Sequence, residues 1–283
     1  MPTTTSYLAR VQPAIDEVGE RLAALAAAAS DPDARLARSD WTVRQGAAHL
    51  VTVVPRYADG PEGRGTWVPD RRQLAALNDA QLHALGALSM AELAGQLRRH
   101  LATLRTQLQG YGDSVPAFRF HGGEPVAADL ALGILLAELT VHGFDIARAL
   151  ARPWPIDPGH VELIFQGLDP IAPGWVDPVR TRRLTATFQV HLRGERTHVY
   201  AFRDGRLQVN PAARTGPTST SRPTRPPSCS SCTGGNPNGG TSPPDGCSPG
   251  AASPGSPPPW PAASSGPRRI AGMAPPRRRS SSS

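Results

Sequence analysis

Apolar positions recur every three or four residues through four long stretches of this 283-residue chain, the period of a helix with one buried face. In residues 7–29 the stripe is Leu8, Val11, Ile15, Val18, Leu22 and Leu25, with Pro13 near the opening turns, where its missing N–H is tolerated. The second stretch follows a polar loop. Ser39, Asp40 or Thr42 can cap it, and Pro55 kinks or ends it after Val54. Residues 58–72 are rich in Gly, Pro and Arg and read as a surface loop, with a short helix over 71–86. Ser89 and Glu92 form a capping-box signature ahead of the third stripe, Leu93, Leu97, Leu101, Leu104 and Leu108. After a loop over 110–123, the fourth long helix is predicted from about Pro125 to Leu150.

Four such helices in residues 1–152 predict an antiparallel bundle, a mainly α fold. Residues 153–178 read as a connecting helix, over His160 to Ile171, and a linker. The period then changes. RLTATFQVHLRG and RTHVYAFRDGRLQV alternate in strand fashion, with turns at Gly194 and at Asp204-Gly205, so 179–210 reads as a β fragment of a second domain. Residues 211–283 contain no Leu, Val, Phe or Tyr, and a segment of that composition is expected to be a disordered tail. The abrupt loss of core-forming residues motivates the hypothesis that this tail is an out-of-frame translation. Reading the gene in its other two frames checks it, and the idea fails if neither restores an apolar pattern.

Charge changes the picture little. The formal +7 is the tail's own, with eight arginines against Asp245, while residues 1–210 carry 22 basic and 22 acidic side chains. A neutral folded part has no field to attract phosphate, so a nucleic-acid partner is not expected. Every basic residue is Arg, which points to a GC-rich gene, as in many actinobacteria. The N-terminus lacks a signal-peptide layout, and the apolar run Val126–Val141 is interrupted by Asp129 and Glu138 and is too short for a span. A soluble cytoplasmic protein without a membrane partner is expected. All three cysteines lie in the tail, and Cys229-Ser-Ser-Cys232 with Cys247 lacks a fourth ligand or scaffold for a metal site.

The candidate chemistry lies in AELTVHGFDIARAL. Glu138 and His142 are four apart and project from one helix face. His49, in GAAHLV of the second helix, sits among neighbours that would face the core, and ligands on two facing helices can converge inside a bundle. Two imidazoles and a carboxylate suit zinc with an open fourth position, and nickel, iron and manganese also accept such donors. The same Glu–His spacing also serves as an ordinary surface pair. Asp145, three after His142, either orients a ligand from behind or is an exposed or helix-pairing acid. Arg44 and Arg148 are displaced from the faces of His49 and His142. His191 and His198 flank a hairpin turn and are expected at the surface; His83, His100, His121 and His160 show no partner pattern.

DWTVRQGAAHLV followed by AELTVHGFDIARAL resembles the N-terminal domain of mycothiol-dependent maleylpyruvate isomerases, within the DinB-like superfamily of metal-binding four-helix bundles. The resemblance covers residues 1–152. It implies a divalent metal, preferably zinc, held by His49, Glu138 and His142. It also implies mycothiol, the small thiol of actinobacteria, as cosubstrate, and a small electrophile as substrate, either isomerised or joined to the thiol. The strands at 183–209 resemble the opening of the family's α/β, sterol-carrier-like C-terminal domain. The sequence departs from the family there, because the low-complexity stretch stands where further strands and helices are expected. The alternative function is a non-catalytic metal-binding or regulatory member of the family.

Overall fold

A computed structural model describes residues 6–59, 65–111, 117–123, 125–192 and 196–211 of the chain. The expected tail, its cysteines and the turn at Gly194 lie outside the described residues. Four long helices dominate: α1 (Tyr7–Ala27), α2 (Val43–Asp59), α4 (Met90–Tyr111) and α5 (Ala128–Ala149). A 3-10 turn (Arg71–Gln73) leads into α3 (Leu74–Leu85). Helix α1 and helix α2 each pack against both α4 and α5, so the order around the bundle is α1, α4, α2, α5.

Local chemistry sets the helix starts. Ser6 Oγ accepts from the Ala9 amide at the head of α1. Thr42 caps α2 through a reciprocal pair: its Oγ1 accepts from the Gln45 amide, and Gln45 Oε1 accepts from the Thr42 amide. The Ser89–Glu92 pair does the same for α4. Pro13 lies inside α1, beyond its first turn, and Pro55 does not end α2. Each removes one helical hydrogen bond. The helices continue because the residues beyond them are buried: Ile15, Val18 and Leu22 in α1, and Arg56, Tyr57 and Ala58 in α2. Burial of such side chains offsets a lost backbone bond, since each large apolar one contributes about 1.5–3 kcal/mol.

The expected loop before α5 contains a small antiparallel hairpin, β1 (Ala117–Arg119) with β2 (Pro125–Ala127). Gly122 and Gly123, at φ 92° and 79°, make its turn. Helix α5 therefore starts at Ala128, three residues after the expected Pro125. It carries a window long and apolar enough to cross a membrane, contrary to the shorter run read from sequence, but 67% of that window is buried among the other helices. The apolarity is that of a central core helix.

Beyond the bundle come α6 (Pro158–Leu168), α7 (Ala172–Trp175), α8 (Pro178–Thr181) and a three-stranded antiparallel sheet. Its strands are β3 (Ala186–His191), β4 (Thr197–Arg203) and β5 (Arg206–Val209), with Phe188 opposite Tyr200 and Phe202 opposite Leu207. The turn at Asp204-Gly205 forms as expected, both residues having positive φ, 49° and 77°.

Two close approaches fix α5. Gly133 meets Gly167 of α6, where a Cβ on Gly167 would lie 2.8 Å from Gly133 Cα. A Cβ on Gly143 would lie 2.2 Å from the Trp154 ring, whose Nε1 donates to the Thr140 carbonyl at 3.1 Å. Gly143→Ala is therefore expected to destabilise the fold by about 1–3 kcal/mol, as overpacked cores do. Urea unfolding checks this, and an unchanged midpoint contradicts the packing account.

Candidate metal centre

Neighbouring helices α2 and α5 pack against each other and bring three side chains together. His49 Nε2 lies 3.6 Å from Glu138 Oε2, and His142 Nε2 lies 3.2 Å from the same oxygen. One ligand atom from each of the three residues falls within 4.8 Å of the others. A tetrahedral ion with bonds of about 2.1 Å sets its ligands roughly 3.4 Å apart. Two of the separations are near that value, and the donor set suits a borderline divalent cation. The group fits.

Burial divides the three. The His49 side chain is 5% exposed, while Glu138 and His142 are 34% and 23% exposed, so the group is closed on the α2 side and reaches solvent on the other. Burial pushes the His49 pKa down to about 4, against the opposing pull of Glu138. Its imidazole is neutral at neutral pH, the form that ligates metal. Burial works to raise the Glu138 pKa, but the imidazoles of His142 and His49 outweigh it and hold the carboxyl below its usual range. His49 Nδ1 is buried without a hydrogen-bond partner among the described residues. Leaving such an atom unpaired costs about 1–3 kcal/mol, and tolerated orphans of this kind concentrate where function places a group. Trp41 packs on both imidazoles, with ring centroids 4.8 Å from His49 and 5.9 Å from His142.

Asp145 is buried, which removes the exposed alternative. Burial raises its pKa, with His142, Arg38 and Arg148 opposing. No hydrogen bond joins it to His142, and its Oδ1 has no partner among the described residues. Arg148 is exposed, and Arg44 is engaged with the Leu88 carbonyl and Asp33, so neither serves the group.

Two histidines differ from expectation. His198 is fully buried rather than at the surface. Its Nδ1 lies 2.8 Å from Asp169 Oδ2 and its Nε2 3.0 Å from Glu162 Oε2, and Asp169 also accepts from Tyr200 and Asn210. The acids sit on opposite ring nitrogens, so one ion cannot reach both; the cluster ties the sheet to α6 and the turn after it. The signal was the period-two spacing of His198 with Tyr200 and Phe202, which puts all three on one strand face. His121 is also buried, and its Nδ1 accepts from the Val68 amide at 3.1 Å. It lies in a tight turn, where periodicity carries no signal.

A helical bundle that presents two imidazoles and a carboxylate from neighbouring helices has a donor set that could hold a divalent ion. Residues 13–147 match the mycothiol maleylpyruvate isomerase N-terminal domain. No curated protein and no solved structure matches the chain.

Buried neutral histidines make the metal-free fold acid-sensitive. Burial, helped by Arg56, pushes His121 down to about 4, as burial does for His49. An unfolded histidine binds its proton near pH 6.5, so the unfolded state gains protons first as pH falls. The stability these two rings contribute is present above about pH 6.5 and is lost on descending towards pH 4. Melting curves from pH 7 to 4 are expected to show a falling midpoint, less steep in His121→Gln; equal slopes contradict the assignment.

Proposed function

We propose that this chain binds one divalent ion, preferably zinc, through His49, Glu138 and His142, and uses mycothiol as cosubstrate to act on a small electrophile. The observation that carries this reading is the convergence of the three ligand atoms within 4.8 Å, inside a domain of the mycothiol maleylpyruvate isomerase type. When bound, a divalent ion with an open coordination position lowers the pKa of a thiol and holds it as the nucleophilic thiolate. The chain's own residues prepare for this. His49 is kept neutral by burial, Glu138 is kept ionised by its imidazole neighbours, and Trp41 holds both rings in place. The partial exposure of Glu138 and His142 leaves the side from which a thiol approaches. The reaction in the family's name is an isomerisation, in which a thiolate adds to a conjugated double bond, the former double bond rotates, and the thiolate leaves again. Thiol transfer to another electrophile shares the first step.

A second reading, a metal-binding or regulatory protein without catalysis, is favoured by one observation: a low-complexity stretch stands at 211–283, where the rest of the family's C-terminal domain is expected.

Purified full-length protein is expected to bind one equivalent of zinc. His49→Ala and His142→Ala should each weaken binding by about 100-fold or more, since loss of an outer partner alone costs 10–100-fold. The metal-loaded protein should consume mycothiol or isomerise a substrate in a panel of electrophiles. Stoichiometric metal without thiol consumption or isomerisation sinks the enzyme reading in favour of the second.

Trp41 supplies a local readout of the same site. Adding Co²⁺ should quench its fluorescence, and Trp41→Phe should lose that response while keeping the metal. Quenching of equal size in Trp41→Phe places the ion elsewhere.

A further inference from the structure

Arg56 lies seven residues after His49, two turns along the same helix, and is 5% exposed. Its guanidinium has no carboxylate within ion-pair distance among the described residues. NH2 donates to the side-chain carbonyls of Asn78, at 2.9 Å, and Gln81, at 2.5 Å, both neutral. Nε is buried without a partner among the described residues. A buried cation is ordinarily paired, because removing its hydration without a counter-charge costs several kcal/mol.

The neighbouring imidazole adds to the excess of donors. The Val68 amide donates to His121 Nδ1, so in the neutral ring the hydrogen sits on Nε2. That Nε2–H faces Arg56 NH1 at 3.4 Å. Both are donors, and neither accepts from the other. Among the described residues, Arg56 NH1 and His121 Nε2 thus face each other beside a positive charge with no acceptor between them, and Arg56 Nε–H is unpaired on the other edge of the guanidinium. Arg56 also borders the cavity of about 250 Å³, with Thr52, Gln81, Gln96 and His100 on its wall. Asp59 borders it too, where its charge acts on His100. The volume suits a molecule of a few heavy atoms.

We propose that Arg56, with His121 and the cavity beside it, is a binding subsite for a small oxyanion. The ligand is either the carboxylate of a small organic acid or inorganic phosphate. An anion oxygen between Arg56 NH1 and His121 Nε2 supplies the acceptor that these donors lack, while NH2 is already taken by Asn78 and Gln81. The proposal does not depend on a metal at His49, Glu138 and His142.

The test uses the full-length protein with zinc, titrated with succinate, acetate or phosphate at an ionic strength held constant with sodium chloride. Thermal unfolding and calorimetry are read together, with metal content measured on the same samples. A tenfold excess over Kd is expected to raise the midpoint by about 3–5 °C, and the response should saturate. A stronger response to succinate identifies an organic acid as the ligand; a stronger response to phosphate identifies the inorganic anion. Arg56→Gln should abolish the shift. Arg56→Lys, which keeps the charge but loses the planar guanidinium donors that reach Asn78, Gln81 and the anion at once, should weaken binding about tenfold or more while leaving metal content unchanged. If Arg56→Gln does not fold, Arg56→Lys carries the test. No saturable shift in the unsubstituted protein, or undiminished affinity in Arg56→Lys, overturns the proposal. An anion response in a protein that binds no zinc overturns the metal reading and leaves this one standing.

Discussion

The packing of α2 against α5 is the constraint on which the site depends. One helix supplies a neutral imidazole from an apolar interior, and the other supplies a carboxylate and an imidazole one turn apart at the interior's edge. His49 is kept neutral because the bundle removes it from water, and Glu138 stays ionised because two rings face it. A shift of α5 along its axis would part the three atoms. Gly143 under Trp154 and Gly133 against Gly167 prevent that shift, because any side chain there would push the helices apart. Core packing and ligand geometry are thus one arrangement.

Much of this was legible in residue spacing. The four leucine- and valine-rich stripes, the Ser89–Glu92 capping box and the turn at Asp204-Gly205 each rest on local chemistry that acts the same way in any context. The pair Glu138 and His142 was visible because a helix puts i and i+4 on one face. What spacing could not give was the order of helices around the bundle. That order decides that α2, and not α1 or α4, meets the working face of α5 beside His49.

The misreadings share a physical cause. Pro55 was expected to kink or end α2; it does not end it, because the residues beyond it are buried and tertiary packing overrides one lost backbone bond. That extension carries Arg56 into the interior, so the misplaced end of the helix also hid the one arginine on the His49 face. His198 looked like a surface residue because its partners, Glu162 and Asp169, are distant in sequence. The hairpin before α5 has strands of three residues, too short for alternation to register.

The central claim is that an ion sits on nitrogen and oxygen donors inside the bundle. X-ray absorption at the zinc edge of the full-length, zinc-loaded protein tests it most directly. The account predicts a shell of nitrogen and oxygen at about 2.0–2.1 Å, with the outer scattering of two imidazoles. All the cysteines lie at positions 229, 232 and 247, far from the bundle in sequence. A sulfur shell near about 2.3 Å in protein free of added thiol would contradict the account, because it would place the ion on those cysteines and not on His49, Glu138 and His142.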